Sequence, residues 1–245
     1  ACDACGPTHP AARIPQEFMQ TPHHSQLPLI RTKLAPPKVG QAPVSRDKLL
    51  QQLDLRRDRK LSLLIGPAGC GKTMLLTQWR QHLLLQGAAV AWYNVGADDD
   101  DTHVAAYLIE ALKLAGLSIG TDALHLYIRS GSKAWKPLLA SLINDLSEHS
   151  GSIYIVIDDL HYLASFGILQ LIDRLIRLAP ANTRVVLGSR TRPPLDLTTL
   201  RSQDQLTELQ FSELRVGGDE TRKVVDAQGL TQLTTPQVHA LHDMS

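Results

Sequence analysis

Short apolar runs alternate along this chain with longer segments in which apolar residues recur every three or four positions. Nearly continuous apolar runs are typical of parallel strands that are buried on both faces of a sheet. Five such runs predict strands at residues 61–65, 88–95, 153–157, 184–188 and 206–209. Helical spacing predicts amphipathic helices from 72 to 85, from 104 to near 116, from 135 to 146 and from 168 to near 180. Strands that alternate with helices form right-handed βαβ units, so we predict an α/β fold with a doubly wound, mostly parallel sheet.

The segments outside this alternation carry weaker patterns. We expect a further helix over residues 49–53 with Ser45 as its N-cap, and a short extended segment at residues 32–37. Residues 117–133 are ambiguous, with a short helix expected near 124–128. The chain is therefore divided into a flexible leader at residues 1–30, a main domain at 31–212, and a helical segment at 213–245 that begins a second unit without completing it.

One motif carries clear chemistry. Residues 66–73 read GPAGCGKT and match G-x-x-x-x-G-K-[ST], a phosphate-binding P-loop, between a predicted strand and a predicted helix. Glycines let the backbone amides converge on phosphate oxygens, and the helix dipole adds to this attraction. Lys72 is expected to reach the β- and γ-phosphates, and the hydroxyl of Thr73 to bind Mg²⁺. A glycine-rich turn that only caps a helix is the weaker alternative. The predicted nucleotide-binding residues here are Gly66, Pro67, Ala68, Gly69, Cys70, Gly71, Lys72, Thr73 and Met74.

Two acids follow the third predicted strand. Asp158 and Asp159 come directly after the apolar run at 153–157, so they are expected at the carboxyl edge of the sheet, where such folds bind ligands. We predict that Asp158 holds Mg²⁺ and that Asp159 orients or deprotonates the attacking water, if hydrolysis occurs. The alternative is that both carboxylates only cap the next turn.

Arg190 follows the fourth predicted strand and is expected at the same edge, where it could approach the γ-phosphate. A solvated surface arginine is the alternative. Lys72, Asp159 and Arg190 are thus the candidate catalytic residues. For His161, Arg192 and the acidic run at 98–101 we expect ordinary surface or turn positions.

Composition and charge narrow the possible functions. The 25 basic and 24 acidic residues give a formal net charge of +1, so there is no basic excess of the kind that indicates nucleic-acid binding. No apolar run is long enough to cross a membrane, and no secretory signal is visible. Three cysteines without a disulfide framework suit a cytoplasmic protein. Cys2 and Cys5 form a CxxC, but no second ligand pair accompanies it, and we assign no metal there.

Several motifs together resemble one family. TKLAPP at 32–37, VSRDKLLQQL at 44–53, GPAGCGKT at 66–73, AWYNVGADDDD at 91–101, IVIDDLHYL at 155–163 and LGSRTRPPL at 187–195 occur in that family's order. The chain resembles the ATPase module of MalT-type regulators, which are large LuxR-family transcription activators in the STAND class of signalling ATPases. This resemblance spans about residues 32–245 and is more specific than the P-loop alone.

The resemblance implies further properties. Such proteins rest with ADP bound and self-associate with ATP bound when an inducer is present. Arg190 lies at the position of the family's γ-phosphate sensor, Val44 and Arg46 lie in the segment that borders the adenine, and residues 213–245 correspond to a winged-helix-like lid. Family members are longer and carry a repeat sensor and a helix-turn-helix, so we expect this chain to be a truncated form that binds neither inducer nor DNA directly.

The leading hypothesis is therefore an ATP- or ADP-binding switch module with Mg²⁺ and, at most, slow ATP hydrolysis. One alternative is an autonomous P-loop ATPase or kinase, but we find no substrate-binding insert. Another is a truncated, non-catalytic protein that associates with full-length regulators.

Overall fold

The computed structural model describes residues 27–38 and 45–215. Five strands lie in this part of the chain: β1 (Leu61–Ile65), β2 (Ala89–Asn94), β3 (Ile153–Asp158), β4 (Thr183–Ser189) and β5 (Leu206–Leu209). They form one sheet in the order β2–β3–β4–β1–β5, and every neighbouring pair is parallel. The parallel sheet and all five predicted strands are confirmed, each within two residues of its expected ends.

Eight α-helices connect and cover these strands in the described ranges. They are α1 (Asp47–Leu55), α2 (Lys72–Leu85), α3 (Asp101–Leu114), α4 (Asp122–Ser130), α5 (Trp135–Glu148), α6 (Phe166–Leu178), α7 (Thr198–Ser202) and α8 (Phe211–Leu214). Short 3-10 helices occupy Arg31–Leu34, Gly131–Ala134 and Leu160–Tyr162. The helix predicted from 72 to 85 is found with those bounds. The ambiguous region at 117–133 contains α4 and a 3-10 turn.

Alternate side chains of each strand enter two separate cores, which explains the continuous apolar runs. In β3, Ile153, Ile155 and Ile157 pack on one face with α3, α5 and α6. Tyr154 and Val156 pack on the other face with α1 and α2. Since helices cover both faces, the sheet is doubly wound, as predicted.

Two local predictions were wrong. The segment expected to be extended forms a 3-10 helix at Arg31–Leu34 and becomes extended only at Ala35. Ser45 is not the N-cap of the following helix, because α1 begins at Asp47 and Arg46 occupies the cap position. The Ser45 hydroxyl donates to the carboxylate of Asp47, and no side-chain cap bond is made at the start of α1.

The 3-10 helix Arg31–Leu34 lies against the edge strand β2, and one member of the acidic run, Asp99, holds it there. Lys33 Nζ lies 2.6 Å from Asp99 Oδ1, and Tyr93 donates its hydroxyl hydrogen to Asp99 Oδ2 at 2.8 Å. The Asp99 side chain is 4% exposed, so the surface expectation fails for this member of the run. Burial, and next the hydrogen bond to Asp99, raise the pKa of Tyr93 far above its ordinary value. Asp100 behaves as a turn residue and caps α3 by accepting from the amide of His103.

Within the described ranges no helix combines the length and apolar character needed to span a membrane.

Candidate functional site

The P-loop runs from the end of β1 into α2, as its motif requires. Gly69 and Gly71 have φ values of 84° and 85°, a left-handed backbone that residues with a Cβ rarely adopt. Lys72 is 6% exposed, and its Nζ donates to the carbonyls of Gly66 at 2.7 Å and Pro67 at 2.9 Å. The loop therefore holds the lysine ammonium against its own backbone, at the N-terminus of a fourteen-residue helix.

A buried carboxylate meets this loop from another strand. Asp158, the last residue of β3, is 0% exposed. Its Oδ2 accepts from the Thr73 hydroxyl at 2.5 Å, and its Oδ1 accepts from the amide of Asp159 at 2.9 Å. Because β4 lies between β3 and β1 in the sheet, this contact spans one intervening strand. The structure thus brings together Thr73 and Asp158, the two predicted magnesium ligands.

Gly188 of β4 makes this meeting sterically possible. A Cβ at this position would lie 2.1 Å from Asp158 Oδ1 and 3.3 Å from Leu76 Cδ1 in α2. The first distance is far inside van der Waals contact, so no larger residue fits unless the carboxylate moves. Gly188 is therefore part of the site although it offers no functional group.

Burial determines the ionisation of Asp158. Desolvation raises the pKa of this carboxyl, while the hydrogen bonds from Thr73 and the Asp159 amide and the charge of Lys72 oppose the rise. A carboxylate at this position is thus less stable than one in water until a positive charge approaches it. That is a suitable environment for a divalent cation.

The second acid begins a short turn that leads away from the sheet. Asp159 has a φ of 57°, an uncommon value for a residue other than glycine, and precedes the 3-10 turn Leu160–Tyr162. Its Oδ1 lies 3.7 Å from Nδ1 of His161. Burial, followed by the positive charges of Arg190 and Lys72, lowers the pKa of His161, and Asp159 opposes this. His161 is thus electrostatically coupled to Lys72, Asp158, Asp159 and Arg190.

Arg190 lies at the same edge and is exposed. Its Cζ is 6.0 Å from the centre of the Tyr162 ring, a cation–π distance. The following arginine of the loop, Arg192, pairs with Glu208 at 3.0 Å and is half exposed, as a surface residue would be. The two arginines therefore differ in environment despite their proximity in sequence.

Arg46 is buried, with 4% exposure, and contacts the P-loop directly. Its guanidinium donates to the carbonyl of Cys70 at 3.3 Å and to the carbonyl of Arg215 at 3.2 Å. It thus joins the phosphate loop to the last described residue of the chain. Val44, its predicted companion beside the adenine, lies outside the described residues, as do residues 216–245 of the predicted lid and Cys2 and Cys5.

Two further predicted residues, Cys70 and Met74, lie in or directly after the loop. Cys70 is a free, buried thiol whose Sγ lies 3.8 Å from Lys72 Nζ. Met74, the next residue after Thr73 in α2, is 38% exposed. The donor set also fits Mg²⁺, because this ion takes oxygen ligands, is commonly held by one or two protein groups and keeps several waters. No group of three or more metal-binding side chains occurs among the described residues.

Comparison with known proteins places this architecture in a family. The model of the AAA domain matches residues 55–188, more than half of the chain. This chain belongs to the AAA domain family. The match includes the P-loop and both acids and ends at Gly188.

Curated relatives show which group of regulators this chain resembles. It is 32% identical over 201 residues to the HTH-type transcriptional regulator MalT of Yersinia enterocolitica, covering 82% of this chain and 22% of that protein. It is 33% identical over 221 residues to MalT of Serratia proteamaculans, covering 88% and 24%. The predicted resemblance to MalT-type regulators is confirmed, and the chain spans about a quarter of the length of these relatives.

Solved structures match part of the chain. The Aeropyrum pernix ORC1 protein in complex with DNA matches 75% of this chain and 47% of its own chain, with 19% identity and a TM-score of 0.46. A similarity at that level contributes nothing to a functional assignment.

Sequence reasoning missed two residues of the site in this AAA domain. His161 was expected at an ordinary surface or turn position; it does lie in the 3-10 turn Leu160–Tyr162, but its side chain is only 13% exposed. Gly188 was predicted inside a strand with no role, although a glycine within a buried strand is a known sign of close backbone approach. That sign does not reveal which side chain approaches.

We expect Gly188→Ala to destabilise the domain by about 1–3 kcal/mol, because the new methyl overlaps Asp158 Oδ1. Urea unfolding measures the difference. Gly120→Ala is the matched control, since a Cβ there would meet only Asp145 Oδ2 at 3.6 Å, an ordinary contact. Equal stability of the two variants would contradict the steric role assigned to Gly188.

The raised pKa of Asp158 also predicts a pH dependence. The unfolded carboxyl titrates near pH 4 and the folded one higher, so ionisation of Asp158 lowers stability as pH rises between the two values. Asp158→Asn removes this effect, and its stability relative to wild type should increase by at most about 1.4 kcal/mol for each pH unit across that window. Urea unfolding in EDTA between pH 4 and 8 tests this, with the exposed Asp98→Asn as control. A difference that is independent of pH would refute it.

Proposed function

We propose that this chain is the nucleotide-binding switch module of a MalT-like transcriptional regulator, which binds ATP or ADP with Mg²⁺ and hydrolyses ATP slowly if at all. The observation that carries the proposal is the meeting of Thr73 with Asp158 beside the P-loop lysine. A glycine-rich turn that only caps α2 needs no buried acid brought across an intervening strand. The similarity to MalT over 82–88% of this chain supports the regulatory context.

Each residue of the site has a physical task in this proposal. The P-loop amides and Lys72 bind the phosphates, and the lysine exchanges its carbonyl partners Gly66 and Pro67 for phosphate oxygens. Thr73 and Asp158 would hold Mg²⁺, which supplies charge neutralisation for the β- and γ-phosphates. Asp159 orients the attacking water at the sheet edge, and Arg190 contacts the γ-phosphate.

The contacts of Arg46 support a switch rather than a simple binding domain. This residue bonds both the phosphate loop and the carbonyl of Arg215, from which the chain continues into residues 216–245. If the loop moves when ADP is exchanged for ATP, Arg46 would therefore transmit that movement to Arg215, where the segment starts. In the proposal, the ATP-bound form self-associates or joins full-length regulators in the cytoplasm.

Calorimetry with MgATP and MgADP tests the binding part. We expect Lys72→Ala to weaken ATP binding by about 10²-fold, since charge-assisted hydrogen bonds to the phosphates are lost. Lys48→Ala, at an exposed position of α1, should bind as wild type does. Circular dichroism confirms that Lys72→Ala is folded. Equal ATP affinity of folded Lys72→Ala and wild type would refute the proposal.

The γ-phosphate contact is tested by comparing two nucleotides. We expect Arg190→Ala to weaken ATP by about tenfold and to leave ADP affinity unchanged, because one charged contact is made only to the γ-phosphate. Arg192→Ala lies in the same loop and removes a surface ion pair with Glu208, so neither affinity should change. Parallel losses for ATP and ADP in Arg190→Ala would show that this residue does not sense the γ-phosphate.

A further inference from the structure

Both ring nitrogens of the partly exposed His161 are buried, and neither has a hydrogen-bond partner in the part of the chain that the structure describes. Buried polar groups in folded proteins are nearly always hydrogen-bonded, so an exception calls for an explanation. His161 lies in the 3-10 turn Leu160–Tyr162, two residues after Asp159. This position places the unsatisfied ring at the same sheet edge as the proposed phosphate chemistry.

The second acid of the site offers an acceptor close to the ring. Nδ1 of His161 lies 3.7 Å from Asp159 Oδ1, so a shift of less than 1 Å brings the two atoms to hydrogen-bond distance. Catalytic hydrogen bonds often tighten only when the substrate complex forms. A bond from Nδ1 would fix the orientation of the Asp159 carboxylate, which the backbone alone leaves free to rotate.

The His161 ring also neighbours the ring of Tyr162, which in turn lies near Arg190. The rings of His161 and Tyr162 are 4.2 Å apart between centroids and inclined by 34°, and Arg190 Cζ lies 6.0 Å from the Tyr162 ring. The turn therefore holds two rings between the acid that acts on water and the cation that contacts phosphate. Packing alone would explain adjacent rings, but it would not explain imidazole nitrogens without partners beside a carboxylate.

We propose that His161 is a positioning residue for ATP hydrolysis, which holds the carboxylate of Asp159 in the orientation that the attacking water requires. Through its contact with Tyr162, His161 also maintains the position of that carboxylate relative to Arg190. This inference rests on the proposed function, since it assigns a task within the same site.

The proposal requires Nδ1 of His161 and not Nε2. Two variants that keep a nitrogen at only one of these positions can therefore be compared by single-turnover hydrolysis of MgATP. The side-chain amide of Asn places its nitrogen near the position of Nδ1, whereas that of Gln reaches toward Nε2. We expect His161→Asn to stay within about threefold of wild type and His161→Gln to fall by about tenfold or more, a part of the roughly 10²–10⁴-fold that acid–base catalysis contributes. The affinities for ATP and ADP should remain unchanged in both.

A double-variant comparison separates positioning from mere packing. If His161 acts through Asp159, Asp159→Asn combined with His161→Gln should be no slower than Asp159→Asn alone. His82→Gln is the matched control, because His82 Nδ1 lies 3.6 Å from a carboxylate oxygen of Asp54, and no described contact links it to the site. This control should hydrolyse ATP as wild type does.

Three results with the variants would overturn the inference. They are a wild-type rate in His161→Gln, equal losses in the Asn and Gln variants, or independent losses that multiply in the double variant. Wild-type protein that binds MgATP without any single-turnover hydrolysis would also overturn it, while nucleotide binding would stand. Loss of ATP binding in the wild type would instead refute the proposed function.

Discussion

The contact between Thr73 and Asp158 is the constraint on which the site depends. Thr73 follows β1 and the P-loop, Asp158 ends β3, and β4 separates the two strands in the sheet. A side chain on β4 at this level would stand between them, and Gly188 removes it. The parallel order of the strands brings both ends to one edge, but the glycine determines that the two groups touch.

This arrangement leaves the charge of the buried Asp158 carboxylate only partly compensated. Burial disfavours the ionised form of Asp158, and its few hydrogen-bond donors and the nearby Lys72 compensate only in part, so its pKa remains raised. Lys72 itself is turned toward carbonyl oxygens of the loop. A divalent cation would compensate the charge of Asp158, and an anionic phosphate would give Lys72 a charged partner. The site is thus less favourable to the isolated fold than to a complex, which is a common property of functional sites.

The sequence predicted the sheet well because one physical rule governs it. Strands that are covered on both faces require apolar side chains at every position, and such runs are visible without any structural knowledge. The P-loop was equally visible, since its backbone conformation restricts residues at fixed spacing. Asp158 and Asp159 followed from the point where an apolar run ends.

The sequence could not predict features that arise from contacts between distant segments. Asp99 was expected at the surface because nothing in an acidic run shows which member will meet Lys33, 66 positions away. His161 was missed for a related reason, since its burial depends on how the turn after β3 packs. The prediction for Ser45 was wrong because α1 begins at Asp47 and Arg46 takes the cap position, a shift of one residue that a capping rule does not resolve.

Two routes lead from the phosphate site to the rest of the molecule, and they differ in kind. Arg46 joins the backbone of the P-loop to Arg215, so in the proposed switch it would transmit a change in the position of the loop. The turn that carries His161 and Tyr162 lies between Asp159 and Arg190, so in the same proposal it would respond to the group at the γ-phosphate position. The proposed switch therefore has one route that depends on the loop and another that depends on the γ-phosphate. The first route begins at the N-cap residue of α1 and the second at the turn after β3, so a substitution in one can alter its signal and leave the other intact.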